Sequence, residues 1–171
     1  MNSIVQIEQI WQNYLRALDS FKVVKKAYGK KEFELLRKTQ FYNMSKDDFD
    51  NWYEASSENS RDFCILTMWA VFEAELIEFI QRKSDIVKSI APKPFAVNLS
   101  NKVENSIEYW SSDERLDLIK TVIDPNIIGQ AKQIKEYRDY IAHRRKEPSA
   151  SVDPKTAYLV LKNVLDELHK N

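Results

Sequence analysis

The chain has 171 residues, 43% hydrophobic and 30% charged, and its 26 basic side chains balance 26 acidic ones. That length buries a core without disulfides or metals, and zero net charge excludes a generally polycationic nucleic-acid binder while leaving local patches to matter. Two glycines, Gly29 and Gly129, cannot supply a dinucleotide-binding fingerprint or a phosphate loop, and their scarcity points to helices joined by few turns.

Ile4, Ile7, Trp11, Leu15, Leu18 and Phe21 recur every three or four residues, which predicts a first helix with Gly29 at its C-terminal cap. A short segment follows around Phe33 to Thr39. Ser45 is placed to cap a short acidic helix carrying Phe49, Trp52 and Tyr53. From about Ser60 to Lys83 the sequence is apolar over most of a helix circumference (Ile65, Met68, Trp69, Phe72, Leu76, Phe79, Ile80), which marks the most buried element. "APKP" at 91–94 interrupts the chain, and Val97 to Tyr109 reads as helix. Ser111 and Glu114 have capping-box spacing for a short helix through Ile123. Asp124-Pro125 opens a helix to about Lys146, and Asp153-Pro154 opens a last one with Ala157, Leu161, Val164, Leu165 and Leu168 on one face. The expectation is an all-α helical bundle spanning 1–171 as one domain.

Cys64 stands alone within an apolar run, so neither a disulfide framework nor a thiolate zinc site is expected, and a reduced, cytosolic compartment follows. The start, "MNSIVQIEQIWQNYL", lacks the basic and continuously apolar stretches of a signal peptide. Glu73, Glu75 and Glu78 interrupt the greasiest segment, so no membrane span is expected. Neither histidine has a Glu three residues before it, so no di-metal site and no cofactor is expected. His169, near the C-terminus, reads as a frayed, exposed end.

The chemistry concentrates in "EYRDYIAHRRKEPSASVDP", 136–154. Ile127, Ala131, Ile134 and Ile141 form an apolar seam, and the position that completes it is Arg138. A buried charge is costly unless it is paired or serves a site. His143 lies five residues on, roughly 140° around a straight helix, so the two do not share a face unless the helix deforms there or they act across a second copy of the chain. One reading makes Arg138 a core arginine paired with Asp139 or Glu73, with His143, Arg144, Arg145 and Lys146 complementing the negative helix end. The other makes the pair act across two copies of the chain. The stretch 130–146 holds six basic and two acidic residues, and 45–62 two basic and six acidic.

"YRDYIAHR" at the end of an amphipathic helix, then a short loop and a final apolar helix, resembles the HEPN superfamily of all-α domains. "ILTMWAVFEAELIEFI" looks like that family's apolar core helix. The likeness covers residues 60–170, with 1–59 as a helical extension outside it. It implies a core of four to five helices and metal-independent RNA cleavage by a homodimer in which two Arg/His pairs line one cleft. His143 would then be general acid and base, Arg138 would stabilise phosphate charge, and Asp139 would orient the site. Arg144, Arg145, Lys146 and Tyr140 would contact RNA. The family setting is phage defence, abortive infection or a toxin–antitoxin pair. Members silenced by a nucleotidyltransferase resemble Arg-x4-His-x-Tyr, but Arg145 stands where that tyrosine would be. The family setting leaves room for an antitoxin or defence-system partner protein, which no residue here identifies. The alternatives are a catalytically silent RNA- or protein-binding module and an unrelated helical adaptor.

Overall fold

The computed structural model describes residues 2–143, 148 and 151–170. Among them are seven α-helices, a 3-10 turn and no strand. In order these are α1 (Ser3–Gly29), α2 (Phe33–Leu36), α3 (Lys46–Val87), α4 (Lys93–Ser106), the 3-10 turn Ile107–Tyr109, α5 (Ser112–Ile119), α6 (Pro125–His143) and α7 (Pro154–Lys170). No helix among the described residues is long and apolar enough to cross a membrane.

α3 organises the fold and packs against α1, α4, α5, α6 and α7. Ser45 caps it by accepting from the Asp48 amide, as expected, but the expected break before Ser60 is absent. One 42-residue helix runs through "EASSENS". That run contains no glycine or proline, and Ser57 satisfies its hydroxyl on the Tyr53 carbonyl, one turn back. The second half of α3 supplies Ile65, Met68, Trp69, Phe72, Leu76, Phe79 and Ile80 to the core. They meet Ile128, Ala131 and Ile134 of α6 and Ala157, Leu161, Val164, Leu165 and Leu168 of α7. Burying each such aliphatic side chain contributes about 1.5–3 kcal/mol.

α1 runs antiparallel to α3, with Phe21 edge-on to Trp52 and Tyr28 stacked on Phe49. Its first half also covers α7. Trp11 stacks on Tyr158 at 5.4 Å, and the Tyr158 hydroxyl donates to Glu8. The N-terminal extension is therefore part of the core packing. The C-cap of α1 is Lys30, one residue after Gly29. The Lys31 amide donates to the Tyr28 carbonyl and the Glu32 amide to that of Ala27, the bonding of a Schellman motif. The left-handed residue in it is Lys31, with φ 57°.

The Ser111–Glu114 capping box forms as expected, yet α5 stops at Ile119 rather than Ile123. α4 starts at Lys93, earlier than expected, because proline is tolerated in a first helical turn. α6 is described to His143; its expected extension to Lys146 lies outside the described residues.

Candidate functional site

The buried positions of α6 are Ile128, Ala131, Ile134 and Tyr137. The expected Ile127 and Ile141 also pack against the core from partly buried positions, and Tyr137 takes the core position expected of Arg138. Tyr137 is amphipathic and can bury its ring while its hydroxyl reaches a partner. That partner is Asp62 of α3, at 3.1 Å. Burial, then the Asp62 carboxylate, pushes the Tyr137 hydroxyl up to about 12.

Arg138 sits on the shoulder of this seam with its side chain 18% exposed. One guanidinium nitrogen, Nη2, donates to Glu73 Oε2 at 3.1 Å, and Nη1 donates to Asp139 Oδ1 at 2.8 Å. The guanidinium carbon lies 5.3 Å from the centre of the Trp69 ring, within cation–π range. Trp69 and Glu73 are four residues apart on α3, so one helix face presents both ring and carboxylate. Arg138 Nε is buried without a hydrogen-bond partner.

Glu73 is a hub. Its Oε1 accepts from the Ser112 hydroxyl and lies 3.3 Å from Nη1 of Arg115. Arg115 is 6% exposed and directs Nε and Nη2 at the Trp110 carbonyl. Lys135 links the other side, bonded to Asp113 at 2.7 Å and 3.3 Å from Asp139. The Asp113 bond raises its pKa, against burial. Three cations (Arg115, Arg138, Lys135) and three carboxylates (Glu73, Asp113, Asp139) thus form one charge-balanced network joining α3, α5 and α6.

Of the predicted site residues, Arg138 and Asp139 come together. His143 is exposed at the last residue of α6. Five residues advance a helix about 7.5 Å and turn it roughly 140°, so His143 leaves α6 on a different side from Arg138, which points to α3. Tyr140 is 36% exposed, its ring 6.4 Å from that of Tyr137. Arg144, Arg145 and Lys146 lie outside the described residues. The basic half of α6 is largely neutralised, since Lys132 also pairs with Asp117, at 2.8 Å.

His169 is not the frayed end its position suggests. Its Nε2 lies 3.2 Å from Glu75 Oε1, which also accepts from Arg82 at 3.0 Å. Burial opposes the charge on Glu75, but bonds from Arg82 and His169 hold its pKa below the ordinary glutamate value. Glu75 therefore ties the C-terminal helix to α3. Cys64 is buried, and burial pushes its thiol up to about 12, which makes it inert at neutral pH. Arg115 went unforeseen in sequence. Its signal was a charge beside Leu116 and Ile119 on the inward face of a capped helix.

Comparison with protein-family models, with curated proteins and with solved structures finds no match.

Proposed function

We propose that this chain is a HEPN-like domain that pairs with a second copy in the cytosol and cleaves RNA at a composite site. His143 exchanges protons with the ribose 2′-hydroxyl and the leaving oxygen, and Arg138 counters phosphate charge. The observation that carries this reading is a guanidinium fixed from behind by Glu73 and Asp139, five residues (about one and a half helical turns) from an exposed imidazole at the same helix end. Imidazole suits either proton transfer near neutral pH, and a guanidinium offers five N–H donors, of which Glu73 and Asp139 use one each. Because the two side chains diverge on one helix, convergence on one phosphodiester requires the partner copy. The resemblance places such a domain in phage defence or a toxin–antitoxin pair, and its chemistry calls on no metal.

A second reading is favoured by one specific observation: Arg138 is already neutralised by two carboxylates. On that reading the network is structural, and the domain binds RNA or protein without cutting. Incubating the protein with RNA in EDTA, beside His143→Ala, separates the two. His143 is exposed, so its replacement leaves the core intact, whereas Arg138→Ala also disturbs packing. Cleavage by the parent and a loss of about 10²-fold or more in His143→Ala are expected. Equal cleavage by both would remove the site assignment. Binding with a steep salt slope and no cleavage would establish the silent module.

A further inference from the structure

We propose that the corner where α1 ends and α3 begins is a nucleotide-binding site, taking the nucleotide free or as one unit of single-stranded RNA. A cavity of about 570 Å³ opens there, within the range of small-molecule sites. Its inner side is rigid, because Tyr28 and Phe49 stack on each other at 3.8 Å with rings 2° from parallel, and the Tyr28 hydroxyl is anchored on the Met44 carbonyl at 2.8 Å. At the mouth Phe33 and Tyr42 stand edge to face at 6.1 Å and remain 45% and 42% exposed. Two large rings left in water beside a cavity are a stacking platform.

The charges choose among ligands. Lys25, Lys31 and Lys46 line the cavity. Asp50 engages Lys46, whereas among the described residues neither Lys25 nor Lys31 meets a carboxylate; Lys25 lies over the Tyr53 ring at 4.1 Å. A cationic guest is repelled by those ammoniums, and a purely apolar one would strip their water without replacing it. An anion bearing a planar ring satisfies both the rings and the lysines. Asn43 and Asp50, also on the wall, can read the polar edge of a base.

The backbone adds an independent observation. Lys31 occupies the left-handed cap position, φ 57°, that favours glycine, while a glycine stands unused two residues earlier. Strain kept at a cavity wall is a mark of function, and here it holds an ammonium at the cavity. Phe49 and Glu73 lie 24 residues apart on α3, roughly 36 Å. The two proposals therefore concern separate regions and stand independently.

The test is calorimetric titration of the full chain with AMP, GMP, CMP and UMP, and with an unstructured hexanucleotide. Gly29 lines the cavity, and a Cβ added there meets nothing within 4 Å. Gly29→Leu is therefore expected to fold normally and cut affinity at least about tenfold by occupying the space. Tyr42→Ala is expected to weaken binding by about tenfold. Lys31→Gly is the sharper variant: it relieves the backbone and raises the melting temperature while weakening binding, opposite signs that a purely structural lysine would not give. Mononucleotide binding lost in these variants establishes a free-nucleotide site. Binding confined to the hexanucleotide, and lost in the same variants, makes it a strand-binding subsite. No saturable binding by either probe, or binding indifferent to Gly29→Leu and Lys31→Gly, overturns the proposal.

Discussion

Removing Glu73 tests whether the charge network holds the fold together. Glu73→Ala leaves Arg138 and Arg115 facing an empty volume, at 18% and 7% side-chain exposure. Deleting one partner of a fully buried ion pair costs about 3–5 kcal/mol, because the remaining charge is uncompensated. Glu73 keeps 24% of its side chain in water, and Arg138 retains Asp139, so solvent and that neighbour recover part of the loss. The expected cost is about 2–3 kcal/mol, or a melting temperature about 5–10 °C lower for a chain of this length. Arg138→Met is expected to cost less, about 1 kcal/mol, since Arg115 and Ser112 still satisfy Glu73. Glu73→Leu combined with Arg138→Met is expected to recover about half the Glu73→Ala loss or more, because an apolar pair of similar volume carries no desolvation cost. Differential scanning calorimetry decides this. Should Glu73→Ala melt within about a degree of the parent, the carboxylate is solvated in solution and the network is not the joint between α3, α5 and α6.

Other parts of the structure yield sharp outcomes. Ser111→Ala removes the capping box of α5 and should lower stability by about 1 kcal/mol in a denaturant titration; an unchanged midpoint would refute that role. Tyr137 and Tyr158 should ionise near 12, both raised first by burial, so absorbance titration should show two late tyrosines, and their absence would show both hydroxyls open to water. Glu75 has a lowered pKa in the fold, so its stabilisation is present above the ordinary glutamate range and fades as pH falls through its folded value. The melting difference between the parent and Glu75→Gln should therefore shrink in acid, and a constant gap would contradict the linkage.

Elements marked by caps and periodicity were legible in the sequence. Ser45, the Ser111–Glu114 box and the Asp-Pro pairs at 124–125 and 153–154 all act as local chemistry predicts. Breaks were harder to read. The polar run before Ser60 read as the gap between two helices, but it continues one long helix, with aromatic contacts anchoring it on either side, Phe49 with Trp52 and Trp69 with Phe72. One seam position of α6 was misread: Ile127, Ala131, Ile134 and Ile141 pack on the core as their pattern predicts, but Tyr137 rather than Arg138 fills the place between the last two. Tyrosine position depends on a hydrogen-bond partner 75 residues away, which periodicity cannot see. The pairing of Arg138 with Glu73 or Asp139 was legible as an alternative, whereas Arg115 and the Glu75–His169 tie rest on tertiary contacts that no local pattern encodes.

On the proposed ribonuclease reading, the paired cations also set how RNA would be held. Lys132, Lys135 and Arg138 each have a carboxylate within 3.1 Å. A phosphate approaching them must displace that partner, and the ion released to solvent is then a side chain's charge rather than a counterion. Counterion release should come instead from Arg144, Arg145 and Lys146. For single strands the slope of log affinity against log salt is about −0.7 per neutralised phosphate. Three contacts per subunit then predict a slope near −2, whereas six contacts including the α6 cations would give about −4. Fluorescence anisotropy of a labelled single-stranded RNA across a salt series distinguishes these. A slope near −4 would mean that the ion pairs open on binding and Arg138 is available to phosphate, which favours the nuclease. A slope near −2 together with cleavage would confine Arg138 to positioning and leave His143 to act with groups from the basic tail. A slope near zero would remove phosphate contact from this helix end altogether.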